Sequence, residues 1–162
     1  MSFGEILVAT CMHKRFCNIF LFKNILAAVF LSQSYAEFEN VQIAFYYGEG
    51  SHQLYSITSM HEITRNEAYH NNKTTLFYIH GFRENLTSES VQTIINAFLF
   101  RKTHNILVLD WSKYAAGNYM TQAIPNMVQI GRMVGEWIYF MIFLNVFELN
   151  KFHGKNFWIL IF

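Results

Sequence analysis

The feature that most constrains this chain is a pair of nearly continuous apolar runs, each of strand length, with a helical stripe between them. Thr74 to Ile79 reads Thr-Thr-Leu-Phe-Tyr-Ile, and Asn105 to Asp110 reads Asn-Ile-Leu-Val-Leu-Asp. A strand with one face in water alternates apolar and polar residues; a strand covered on both faces has no need to. Between the runs, Val91, Ile94, Ile95, Phe98 and Leu99 fall at i, i+3, i+4, i+7 and i+8, one face of a helix, with Thr87 or Ser88 placed to cap it. Strand, crossover helix and strand make a βαβ unit, and right-handed crossovers of this kind put helices on the faces of a parallel sheet.

The flanking sequence extends that unit. Val41 to Tyr47 is β-branched and aromatic and is stopped by Gly48-Glu49-Gly50-Ser51, so a strand and a turn are expected, with a partner strand near Leu54 to Ile57 closing an antiparallel hairpin. Polar residues from Thr64 to Lys73 read as a connecting loop. After Asp110 comes a polar loop from Ser112 to Gln122, then a helix with Pro125 near its first turn and Ile130, Val134, Trp137, Met141 and Leu144 on one face. Gly131 and Gly135 sit in that helix at a spacing that suits close packing on the sheet. A turn at His153-Gly154-Lys155 leads into Phe157 to Phe162, a third buried-strand pattern. The expected order is ββ followed by βαβαβ, an α/β fold with a mostly parallel, doubly wound sheet.

A sheet buried on both faces needs an apolar chain, and 52% hydrophobic residues with only 14% charged ones supply it, far from the composition of disorder. The net charge of +1 is spread without a basic stripe, so nucleic acid is not an implied partner. Residues 1–36 read differently. His13, Lys14, Arg15 and Lys23 precede the apolar run Ile25 to Leu31 and then Ser34-Tyr35-Ala36, the order of a secretory signal peptide; Met12 makes a tidier start than Met1. Even Ile19 to Leu31 is interrupted by Lys23 and Asn24 and falls short of the roughly 20 apolar residues of a spanning helix, so the mature chain from residue 37 to 162 is expected to carry no transmembrane span. Cys11 and Cys17 both lie inside the signal, which leaves no disulfide to propose. Asn72-Lys73-Thr74 and Asn85-Leu86-Thr87 are N-glycosylation sequons, in keeping with export.

The densest chemical signal is His80-Gly81-Phe82, directly after the first apolar strand. At the C-terminal end of a parallel strand the backbone leaves the sheet, and functional groups collect there. Gly81 permits a turn, a main-chain N–H just beyond it can face an oxyanion, and the His80 side chain reads as structural, satisfied by neighbouring backbone. No His-Glu-x-x-His or clustered ligand pattern points to a metal, and no cofactor is implied.

With its surroundings, this segment resembles the pancreatic-type (neutral) lipase family, which includes lipoprotein lipases, secreted phospholipases A1 and non-catalytic yolk proteins. The resemblance rests on Thr74 to Phe82, on Ser90-Val91-Gln92 opening the helix, and above all on Asn-Ile-Leu-Val-Leu-Asp-Trp-Ser at 105–112; it continues weakly through Tyr119, Ala123 and the helix from Val128 to Ile138. It implies an α/β-hydrolase fold and a secreted carboxylic-ester hydrolase acting on glycerolipids. It makes residues 80–82 the oxyanion loop, with the Phe82 main-chain N–H as one donor and His80 and Gly81 building the turn. Asp110 and Trp111 match positions that organise the sheet end, not the family's catalytic acid. A Gly-x-Ser-x-Gly elbow is due after the strand begun at Phe157, yet no such pentapeptide occurs in the sequence, and no serine, acid and base match the family's triad. The expectation is therefore a domain truncated before its nucleophile elbow and inactive as it stands, with a non-catalytic lipid-binding or storage role as the alternative. An interfacial membrane peptide built on Trp137 to Phe147 is disfavoured because core packing explains that stretch better.

The signal order predicts a mature chain that starts at Glu37. N-terminal sequencing of secreted protein checks this, and recovery of residues 1–36 still attached in a membrane fraction contradicts it.

Overall fold

A computed structural model describes residues 38–143 and 157–161. The leader read at residues 1–36, the turn at His153-Gly154-Lys155, Leu144 and the side chain of Met141 lie outside the described residues.

Five strands form one sheet in the order β2-β1-β4-β3-β5. β1 (Gln42–Gly48) and β2 (Ser51–Ser56) are the antiparallel hairpin; β3 (Thr74–Ile79), β4 (His104–Asp110) and β5 (Phe157–Ile161) run parallel to one another. β1 pairs β4 antiparallel, so the sheet is mixed, and only its β4-β3-β5 half matches the expected parallel arrangement. The reason lies in connection length: the two-residue turn at Glu49 and Gly50 can only reverse the chain, whereas the segment carrying the first crossover helix returns it in the same direction. Gly50 closes that turn with φ 67, a left-handed value that other residues adopt at a cost.

Burial follows the run pattern. Ile43 to Tyr46, Leu76 to Tyr78 and Ile106 to Leu109 are all buried, on both faces of the sheet, while His52, Gln53 and Leu54 of the edge strand β2 are exposed. On one face Ala44, Tyr46, Leu76, Tyr78, Ile106 and Val108 meet Val91 and Ile95 of α1 (Glu89–Arg101), with Ile94, Phe98 and Leu99 packed around them. The sequence stripe is therefore the packed stripe. Ser88 occupies the N-cap position, but its hydroxyl accepts from Asn85 N–H at 2.9 Å instead of capping the helix.

The opposite face carries a departure from the sequence reading. Between the strand expected near Leu54 to Ile57 and the loop expected from Thr64, a stretch given no element by the sequence, the chain forms a 3-10 helix (Ile57–Arg65) that buries Ile57, Met60 and Ile63. Ser56 starts it by accepting from Ser59 N–H at 3.2 Å. The loop beyond is anchored by Tyr69, whose hydroxyl meets Thr75 Oγ1 at 3.0 Å, and by Asn105, whose amide exchanges two hydrogen bonds of 3.0 and 2.9 Å with the His70 main chain. A polar residue at the start of a buried strand thus has both donor and acceptor satisfied.

α2 (Ile124–Phe143) begins where the sequence placed it, with Pro125 in its first turn, but the end of the preceding loop is not irregular: Tyr119–Ala123 is a π-helical turn running into the helix. Ile130 and Val134 are buried as expected, and Met133 joins them; Trp137 is half-buried. Gly131 and Gly135 correct the sequence reading. Both are exposed, and nothing lies within 4 Å of a Cβ added at either, so they do not serve close packing on the sheet. They lie on the exposed part of the helix beside its buried stripe, where their effect is to lower helix propensity.

Gly131→Ala is accordingly predicted to stabilise the domain by about 0.5–1 kcal/mol, and Gly135→Ala by a similar amount, since Ala adds propensity without a clash. Thermal or urea unfolding measures it; a loss of stability in either variant means that the helix packs through its glycines after all.

Candidate functional site

The parallel register that sets Ile79 opposite Leu109 brings His80 and Trp111 to the same end of the sheet. There the two strand ends are joined. The Trp111 indole N–H donates to the His80 carbonyl at 2.8 Å, and the two rings stack with centroids 5.8 Å apart. His80 is 1% exposed and fully occupied: Nδ1 lies 3.1 Å from the Gly81 carbonyl oxygen, and the Trp111 main-chain N–H donates to Nε2 at 3.3 Å. Asp110 Oδ1 lies 3.5 Å from that same nitrogen. The His80 side chain is structural, as the sequence reading had it. Burial works against the Asp110 charge, but the contact with His80 and bonds from Ser112, whose N–H donates at 3.0 Å, outweigh it and hold the carboxyl below its ordinary range.

Residues 81–84 form a tight turn in which Glu84 N–H donates to the Gly81 carbonyl at 3.3 Å. The left-handed residue of this turn is Arg83, φ 59, so the conformational freedom expected of Gly81 is required two residues later. The turn is tied down on both sides. Gly81 N–H donates to Glu84 Oε2 at 2.6 Å, and Arg83 N–H donates to the Ala115 carbonyl at 2.9 Å. The other Glu84 oxygen accepts the Ser90 hydroxyl, and that bond first, then the Gly81 N–H, lowers the Glu84 pKa. Of the main-chain N–H groups at 81, 82, 83 and 84, Phe82 alone has no acceptor among the described residues. Its ring is half-buried, meets Tyr119 edge-on at 5.0 Å, and has the Arg83 guanidinium 5.0 Å from its centroid.

Tyr119 is brought there by the loop that follows Trp111. Asn118 starts the π-helical turn by accepting from Met120 and Thr121 N–H at 3.1 and 3.0 Å. Gly117 precedes it with φ 84, a left-handed conformation that strains any residue with a side chain, so this is a position that favours glycine. Asn126 of α2 donates to the Tyr114 carbonyl at 3.1 Å and fixes the loop from below.

The structure thus brings His80, Gly81, Phe82, Asp110 and Trp111 together, as the sequence order implied. Sequence reasoning missed Glu84, Ser90 and the Ala115 carbonyl; an acid three residues after a turn glycine was the available signal. Asn72 and Asn85, the sequon asparagines, are exposed, and Asn85 Oδ1 accepts from Thr87 N–H at 2.8 Å and its hydroxyl at 2.7 Å. Among the described residues no group of three or more His, Cys, Asp and Glu side chains could hold a metal ion, and no helix is long and apolar enough to cross a membrane.

A parallel β3-α1-β4 unit beside an antiparallel hairpin, with a main-chain N–H just past the end of β3 that has no acceptor among the described residues, makes this an α/β protein with a mixed sheet. A family model described as Lipase matches residues 14–151, most of the chain, and the chain belongs to that family. The family implies the α/β-hydrolase fold, of which the described strands and helices are a part, and it supports lipase-like function with lipid substrates. No curated protein matches this chain.

The depressed Asp110 carboxyl has a definite pH sign. In the unfolded chain it takes up a proton near pH 4, in the fold only at lower pH, so the unfolded state binds more protons in between and its share grows as pH falls. Stability from this group is present above about pH 4 and is lost as pH drops through the folded value. Melting temperatures from pH 7 to 2 should fall more steeply for the wild type than for Asp110→Asn below about pH 4; parallel curves contradict the assignment.

Proposed function

We propose that this chain supplies the oxyanion-hole side of a secreted serine carboxylic-ester hydrolase acting on glycerolipids, of the lipase and phospholipase A1 type. One observation supports the reading: in a turn where the neighbouring N–H groups are bound to Glu84, Ala115 and Gly81, the Phe82 N–H has no acceptor among the described residues. When a nucleophile attacks an ester, negative charge gathers on the carbonyl oxygen, and a donor already fixed in place stabilises it without reorganising at the moment of reaction. Phe82 N–H is such a donor, His80 and Gly81 build the turn that holds it, and the Phe82 and Tyr119 rings line its acyl side.

The chemistry needs a nucleophile, a base and an orienting acid, and the Ser-His-Asp arrangement of this reaction has no counterpart in residues 1–162, which contain no Gly-x-Ser-x-Gly. His80 and Asp110 do not fill the gap, because His80 is buried and committed to Trp111 and Gly81. Residues 1–162 alone are therefore inactive in this reading. Residues 1–36 direct export to the extracellular space, and the exposed Asn72 and Asn85 accept glycans there.

The test is made on the full-length product of the transcript. It should hydrolyse glycerolipid esters and be blocked by a serine-directed organophosphate, while residues 1–162 show no turnover above denatured protein. Phe82→Pro removes the N–H at a turn position that suits proline, and should lower kcat by roughly 100-fold or more with an unchanged circular dichroism spectrum. Phe82→Ala keeps the donor and should act mainly on KM. Equal kcat in Phe82→Pro and wild type sinks the oxyanion assignment; a full-length product that binds lipid vesicles without turnover favours the non-catalytic role.

A further inference from the structure

The geometry points to Glu84 as the positioning residue of the loop at residues 80–84: its carboxylate takes the Gly81 N–H and the Ser90 hydroxyl, and so fixes which single main-chain donor faces outward. This rests on the oxyanion reading of Phe82.

Consecutive N–H groups in a turn compete to point the same way, and a loop free to rock would present Gly81 and Phe82 by turns. Four hydrogen bonds remove that freedom. The Glu84 carboxylate reaches back to Gly81 N–H at 2.6 Å, a charge-assisted bond, while Glu84 N–H donates to the Gly81 carbonyl at 3.3 Å, so main chain and side chain close the same turn from both ends. The second carboxylate oxygen accepts from Ser90 in the first turn of α1, which transfers the rigidity of a helix packed on the sheet to the turn. On the far side the Arg83 N–H is held by Ala115 at 2.9 Å. With Gly81 and Arg83 both committed, Phe82 is the remaining donor. A negative carboxylate near a developing oxyanion is unfavourable unless its charge is drawn away, and here both oxygens are turned toward donors: the Gly81 N–H and the Ser90 hydroxyl.

Glu84 is half-buried at the surface and outside the packed clusters of the sheet, so its replacement tests the loop rather than the fold. Amide hydrogen exchange by NMR on the 162-residue chain reads the first part. Gly81 should be protected and Phe82 should exchange freely; Glu84→Ala should speed Gly81 exchange by about tenfold or more, with Glu84→Gln intermediate, while residues 76–78 and 106–109 keep their protection. Unchanged Gly81 exchange in Glu84→Ala overturns the proposal, and so does loss of protection across the strands, which would make Glu84 a general stability residue. The second part uses the full-length transcript product. Glu84→Ala should lower kcat about tenfold or more at unchanged KM, with partial recovery in Glu84→Gln. An active wild type whose kcat is unmoved by Glu84→Ala overturns the role of Glu84, whereas a wild type without turnover overturns the esterase reading itself, and the exchange result then stands alone.

Discussion

The bond from the Trp111 indole N–H to the His80 carbonyl, 2.8 Å long and buried, is the contact on which the functional end of this structure depends. Parallel strands pair along their length but diverge once the main chain leaves the sheet, and nothing in the ladder itself fixes the loops beyond. Here the first residues past the two strands, His80 and Trp111, are hydrogen-bonded twice and stacked. A carbonyl left unpaired in that setting costs about 1–3 kcal/mol, so the indole is the means by which the strand end tolerates burial. Everything further out is referenced to this joint. The Ala115 carbonyl that holds Arg83 lies four residues past Trp111, within a turn whose N–H groups return to the Trp111 carbonyl.

From that joint the site is built almost wholly of main-chain groups. Side chains serve as supports: Glu84 for Gly81, Asp110 for Ser112 and His80, Asn118 for the turn that delivers Tyr119. The arrangement suits a donor that must stay neutral and fixed, because an N–H has no titration of its own and takes its direction from the backbone. It also explains why two carboxylates near the loop both have lowered pKa values: each accepts hydrogen bonds that exist only when the loop is formed.

Much of the architecture was legible because burial on two faces leaves a strong mark on composition. Thr74 to Ile79 coincides with β3 and Asn105 to Asp110 with all but the first residue of β4, since a strand covered on both sides must be apolar along its whole length. The helix stripe from Val91 to Leu99 was legible for the same reason. The 3-10 helix at Ile57–Arg65 was not: its buried Ile57, Met60 and Ile63 follow a spacing of three over only nine residues, too short a run to stand out as a helix. The glycines of α2 misled in the opposite way, because a small-residue spacing says that two surfaces can come close without saying that a second surface is there.

The sequence by itself determined the βαβ unit, the hairpin before it, the family, and the place of the loop at His80, Gly81 and Phe82, all of which depend on local periodicity or on residues in fixed order. Tertiary structure alone decided which of those loop amides has no acceptor among the described residues. That choice is made by groups remote from the turn's own backbone preferences: a carbonyl at Ala115, reached only because two parallel strands end side by side, and a carboxylate at Glu84 steadied by the first turn of α1. A hydrogen bond is a matter of a few tenths of an ångström and of direction, and residue order along a chain fixes neither until the sheet has set the distance between the strand ends.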